Sequence, residues 1–160
     1  MRKGLVFGVA ALAVLVGLAA LAYRYWPAPG VAYIDPADQA IVLRGKPVYA
    51  NYCASCHGAD LQGQPNWRER LPTGRLPAPP HDVTGHTWHH PDALLVDIVK
   101  HGLVPGRTAP PGYQSDMPAY GALLSDEDII AVLAYIKSSW PPKAIELQKT
   151  LTLEQQKASR

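Results

Sequence analysis

Cys53-Ala54-Ser55-Cys56-His57 is the stretch whose residue types and spacing dictate a particular chemistry. Two thiols separated by two residues fall on one helical turn, and a histidine follows directly. That pattern is the attachment site of a c-type haem. Each thiol adds to one haem vinyl group and forms a thioether. The histidine then lies under the iron and supplies a nitrogen ligand. Other uses of a C-x-x-C pair fit less well. A thioredoxin-like pair opens a helix after a strand in a βαβ setting, and no such alternation is present. A zinc site needs two further ligands, and the chain has 2 cysteines in all. The same count excludes a disulfide framework.

A haem iron in an electron carrier usually has a second protein ligand. Of the 2 methionines, Met1 is terminal and Met117 lies 60 residues after His57. Pro110, Pro111, Gly112 and Pro118 make a stiff, non-helical loop around Met117. Such a loop can hold a thioether at a fixed distance, so Met117 is expected as the distal iron ligand. A methionine that fills a gap in the core is the plainer alternative. His81, His86, His89 and His90 crowd ten residues. Four such imidazoles can bind copper or zinc, and a haem or copper sensor would use them in that way. One of them could instead replace Met117 and give a bis-His haem of lower potential. The simpler reading has His90 capping the helix that opens at Pro91, others meeting haem propionates and the rest facing solvent. No carboxylate or cysteine completes a metal pattern. His101 is expected to interact with the C-terminus of the middle helix.

Short helices must position these groups. Ser125 precedes Asp126, Glu127 and Asp128, which reads as an N-cap with three acids on the positive end of a helix. Ile129, Val132, Leu133 and Ile136 then form an apolar stripe, and Pro141 and Pro142 stop it. Earlier, Pro91 suits a first helical position, Leu94, Leu95, Ile98 and Val99 give a buried face, and Gly102 suits the C′ position. No strand pattern is present. The tail 141–160 is either a surface helix without one clean apolar face, loosely docked or disordered, or a partner site.

The chain's 160 residues include 15 Lys and Arg against 13 Asp and Glu. Such a balance excludes a nucleic-acid binder, which needs clustered positive charge. Arg2 and Lys3 precede 18 uncharged residues, Leu5 to Ala22, and Tyr23, Tyr25 and Trp26 follow. As a helix the run spans roughly 27 Å, close to a bilayer core. Residues 1–26 are read as a transmembrane anchor with its N-terminus in the cytoplasm and the domain in the periplasm. A cleaved signal peptide ending at Ala20-Leu21-Ala22 is the alternative, and both export the domain. Residues 27–40 hold three prolines and read as an extended linker.

From about Ile41 to Trp140 the chain resembles a class I c-type cytochrome, monohaem, of the bacterial membrane-anchored kind. The order matches: a short helix ending in C-x-x-C-H, a long loop, a middle helix, a Met-Pro loop and a C-terminal helix. Gly45 and Tyr49 fit the family's Gly and aromatic on the first helix, and Val132 and Tyr135 fit their partners on the last. The resemblance implies an all-α fold of three or more short helices around one covalent haem c and its iron, in a domain over 41–140. It implies an electron-transfer protein rather than an enzyme, since Met117 occupies the position a substrate would need. The implied partners are respiratory: a quinol-oxidising complex or dehydrogenase, and a terminal oxidase or reductase. The cytochrome subunit of a larger oxidoreductase is the alternative. In the family a proline carbonyl accepts the proximal histidine's Nδ1–H, which implies that role for Pro79 or Pro80. Arg68, Arg70 and Arg75 either pair with the haem propionates or are solvated surface charges.

Overall fold

The computed structural model describes residues 31–159. The expected membrane segment, residues 1–26, lies outside them. Among the described residues no helix is long and apolar enough to cross a membrane. The described residues form helices and loops, with one isolated bridge between Pro105 and Ala109.

Helix α1, Gln39–Tyr52, starts where the Asp38 carboxylate accepts from Ala40 N and Ile41 N. Pro47 lies inside it and removes one hydrogen bond to the carbonyl of Leu43. Leu43 is 68 % exposed, so water can satisfy that carbonyl. Helix α2, Ala54–His57, follows directly after Cys53. A 3-10 turn, Thr87–His89, leads to α3, Asp92–His101. Helix α4 is Asp126–Ser138 and α5 is Pro142–Ala158.

Helix α4 is the centre of the core. Ser125 accepts from Asp128 N at 3.1 Å, as a capping residue should. The stripe Ile129, Val132, Leu133 and Ile136 is buried, and Ala131 and Ala134 are buried beside it. Each large side chain buried there contributes roughly 1.5–3 kcal/mol. Helix α1 crosses α4 at Gly45. A Cβ at that position would lie 1.9 Å from the carbonyl oxygen of Ala131, so only glycine permits this approach. Four residues on, the Tyr49 ring packs 5.4 Å from that of Tyr135.

Helix α3 begins one residue later than expected. Pro91 is its N-cap, with ψ of 155°, and not its first helical residue. Asp92 is the cause: its N–H donates to Thr152 Oγ1 of α5 at 3.0 Å, and its buried carboxylate is held by three other segments. Leu95 is buried, while Leu94, Ile98 and Val99 are half-buried. Gly102 ends the helix with φ of +76°.

The tail is helical and docked. Ala144, Gln148 and Thr152, spaced by four, form its buried face. Asp92 accepts from Lys137 Nζ at 2.8 and 3.0 Å, from Gln148 Nε2 at 2.7 Å and from Ile34 N at 2.7 Å. Gln156 Nε2 donates to Val31 O at 2.7 Å, and Lys137 Nζ stands 4.2 Å over the Tyr33 ring. Residues 31–34 are therefore fastened to α3, α4 and α5 together.

Candidate haem site

The C-x-x-C-H segment is a single turn. Cys56 N and His57 N both donate to Cys53 O, at 3.1 and 2.9 Å. Gly58, at φ of +81°, turns the chain away, and the Tyr49 hydroxyl donates to its carbonyl at 2.9 Å. Both thiols are free; Cys56 is exposed and Cys53 is partly buried. Burial, with Cys56 nearby, pushes the Cys53 thiol up to about 11.

His57 is buried, 8 % exposed, and its Nδ1 donates to the carbonyl of Pro79 at 2.8 Å. That bond fixes the tautomer and leaves the Nε2 lone pair available to a metal. Burial lowers the pKa of His57 and the Pro79 carbonyl opposes that shift. The neighbouring Pro80 carbonyl is turned elsewhere: a Cβ on Gly85 would lie 2.0 Å from it. From the other side, a Cβ on Gly63 would lie 2.4 Å from Pro80 N. Two glycines thus allow backbone to close around the acceptor of the His57 proton.

Met117 lies in a loop laid along the end of α3. Tyr120 N donates to Val99 O at 3.0 Å and Gly121 N to Lys100 O at 2.9 Å. Met117 N donates to Ser115 Oγ at 3.0 Å. The Tyr120 hydroxyl donates to Tyr52 O at 2.7 Å, which ties the Met117 loop to the residue before Cys53. Burial, then the nearness of Cys53 and Cys56, pushes the Tyr120 hydroxyl up. Arg75 pairs with Asp116 and so joins the long loop to the Met117 loop.

The histidine cluster divides. His81 stacks on His57, ring centroids 3.9 Å apart and planes 23° from parallel, a contact the sequence reading did not anticipate. With their rings stacked, His57 and His81 could not ligate one iron from its two faces. Burial, then His57 and His86, holds its pKa well below the ordinary value. His86 stacks on Trp67, and His89 packs against Trp88. The His90 side chain does not cap α3, whose N-cap is Pro91; its carbonyl accepts from Gln148 Nε2 at 3.1 Å. Among the described residues no group of three or more His, Cys, Asp or Glu is placed to hold a metal ion. His101 bonds not to the end of α3 but to Asp97, one turn earlier, at 2.7 Å. Arg68 lies 4.1 Å over Trp67, and Arg70 donates to Gly74 O.

Two thiols on one turn, an imidazole with its far nitrogen open and a thioether on a loop tied beside them fit a haem iron and its two vinyl groups. Fold and site together define a c-type haem protein. The model of the cytochrome c family matches residues 42–140, and the chain belongs to that family. Its cofactor is covalently bound haem c with its iron. The cytochrome bc1 complex cytochrome c subunit of Mycobacterium tuberculosis (strain H37Rv) is 36 % identical over 90 residues, covering 49 % of this chain and 32 % of that protein. The subunit of the same description from Mycobacterium leprae is 39 % identical over 80 residues, covering 42 % of this chain and 27 % of that one. The chain thus spans less than a third of the length of these relatives. No solved structure matches significantly.

Proposed function

We propose that this chain is a one-haem electron carrier of the respiratory chain, with iron held between His57 and Met117. The observation that carries this reading is the pairing of two restraints. Pro79 fixes His57 from one side, and the Tyr120–Tyr52 bond holds the Met117 loop beside the same turn. Bound haem supplies a one-electron Fe(III)/Fe(II) couple. His57 presents Nε2, and its bond to Pro79 raises the basicity of the ring. Met117 would supply the second protein ligand to the iron, which would keep small ligands out and favour the reduced state. Cys53 and Cys56 would hold one edge of the group near the surface, because Cys56 is exposed. That edge would be the exit for an electron.

Residues 1–26 tether the domain on the periplasmic side of the membrane, which raises its effective concentration near membrane partners. Those partners are a quinol-oxidising complex or dehydrogenase on one side and a terminal oxidase or reductase on the other. A second reading makes the chain the cytochrome subunit of a larger oxidoreductase. The description of its relatives as subunits of a complex favours it.

The test is to purify the haem-loaded full chain in detergent, sequence its N-terminus and measure its native size. A start at Met1 supports the anchor, and a start at Tyr23 in the soluble fraction refutes it. Recovery as a single polypeptide supports the free carrier; a stoichiometric partner supports the subunit. Haem that is extracted by acid acetone would remove both readings.

A further inference from the structure

The Pro79 bond restrains the Nδ1 edge of His57, but one hydrogen bond tolerates tens of degrees of tilt. What restrains the ring's plane is a second flat group. The His81 imidazole lies face to face with His57 at 3.9 Å and 23°. His81 is itself held at three points. Its N–H donates to Leu61 O at 2.7 Å, its carbonyl accepts from Trp140 Nε1 at 2.8 Å, and its Nδ1 bonds Thr87 Oγ1 at 3.0 Å. Thr87 is buried in the 3-10 turn, and Trp140 is buried just after α4. Tyr49 meets the His81 ring edge-on at 6.2 Å. Two segments therefore hold the His81 backbone and a third, through Thr87, holds the ring whose flat face lies on His57.

We propose that His81 is a positioning residue, whose clamped ring fixes the plane in which His57 presents Nε2 to the iron. The inference rests on reading His57 as the proximal ligand. The imidazole plane sets the direction of the in-plane magnetic axes of low-spin Fe(III). The spread of the haem-methyl proton shifts reports that direction, and electron paramagnetic resonance g-values report the size of the in-plane anisotropy and how uniform it is. A residue that only fills space beside the haem would leave both unchanged when replaced by another of similar bulk.

The experiment compares the oxidised, haem-loaded protein with His81→Leu, His81→Phe and Thr87→Val. His81→Leu removes the flat face and should move the g-values and the methyl shifts. His81→Phe restores a flat ring and should return both toward wild type. Thr87→Val keeps the ring but frees its far side, and should broaden the g-value distribution. Wild-type g-values and methyl shifts in His81→Leu would overturn the proposal. If Leu prevents haem loading, wild-type spectra in Thr87→Val would overturn it instead. The far-red thioether-to-iron band is recorded on the same samples. Its absence from wild type would remove Met117 as ligand; the same variants are then compared as their low-spin cyanide adducts, in which the His57 plane still sets the in-plane anisotropy.

Discussion

Asp92→Ala should lower the stability of the domain by about 3–5 kcal/mol, the range for breaking one side of a buried ion pair. Asp92 and Lys137 are both fully buried, and the carboxylate takes donors from Lys137, Gln148 and Ile34 at 2.7–3.0 Å. Truncation strands the Lys137 ammonium and the Ile34 N–H, while Gln148 Nε2 keeps His90 O and Thr152 Oγ1. Each unpaired donor alone costs roughly 1–3 kcal/mol. They share one network, so the losses do not add. Neutralising Lys137 limits the cost, since burial already lowers its pKa and Asp92 is the main opposing influence. A lysine lowered on folding makes its charged form destabilising below the folded pKa, and the penalty is relieved as pH rises through it. The Asp92→Ala deficit should therefore shrink in alkali. Urea unfolding of the haem-loaded protein, followed by tryptophan fluorescence, measures this for Asp92→Ala, Lys137→Met and the double variant. The double variant should lose less than Asp92→Ala, because no buried charge remains. A single-variant loss under about 1 kcal/mol, the level of a surface pair, or strict additivity of the two singles would refute the argument.

Gly45→Ala should push α1 off α4 and cost about 3 kcal/mol in the same assay, since its Cβ meets the Ala131 carbonyl at 1.9 Å. Tyr120→Phe deletes the 2.7 Å bond to Tyr52 and should cost about 1 kcal/mol globally. In that variant the far-red band should vanish at lower urea than the fluorescence change, as the Met117 loop releases first. Burial raises Asp97, but the bonds from Arg107 and His101 outweigh it and hold the carboxyl below its ordinary range. Its contribution is present above about pH 4 and lost as pH falls through the folded pKa. Wild type should exceed Asp97→Asn by less than about 1 kcal/mol at pH 7, with the gap closing in acid.

Local pattern made the haem turn, the Ser125 cap and the buried stripe of α4 legible, because each depends on residues a few places apart. The α1–α4 crossing was legible through Gly45 and Tyr49, whose spacing is a property of the family. The docking of α5 was not. Its buried face is Ala144, Gln148 and Thr152, regular in spacing but two-thirds polar, so a search for apolar periodicity sees no face at all. Those polar groups are buried because Asp92 and Lys137, 45 residues apart, need partners. The start of α3 at Asp92 was hidden in the same way, since the Asp92 N–H bonds Thr152, 60 residues on. The stack of His81 on His57 was hidden differently. Four nearby histidines look equivalent in sequence, and only the path imposed by Gly63, Gly85 and Trp140 separates His81 from the others.

His57 and Met117 are proposed to hold the iron of an electron carrier. The oxidised absorption spectrum of the haem-loaded protein, beside that of Met117→Ala, tests it most directly. Wild type should show the weak far-red band of thioether sulfur on low-spin Fe(III), and its reduced form should not bind carbon monoxide. Met117→Ala should lose the band and bind carbon monoxide, while single changes of His86, His89 and His90 to Ala leave both properties intact. A wild-type protein without the band, or a Met117→Ala protein with unchanged ligation, would contradict the account.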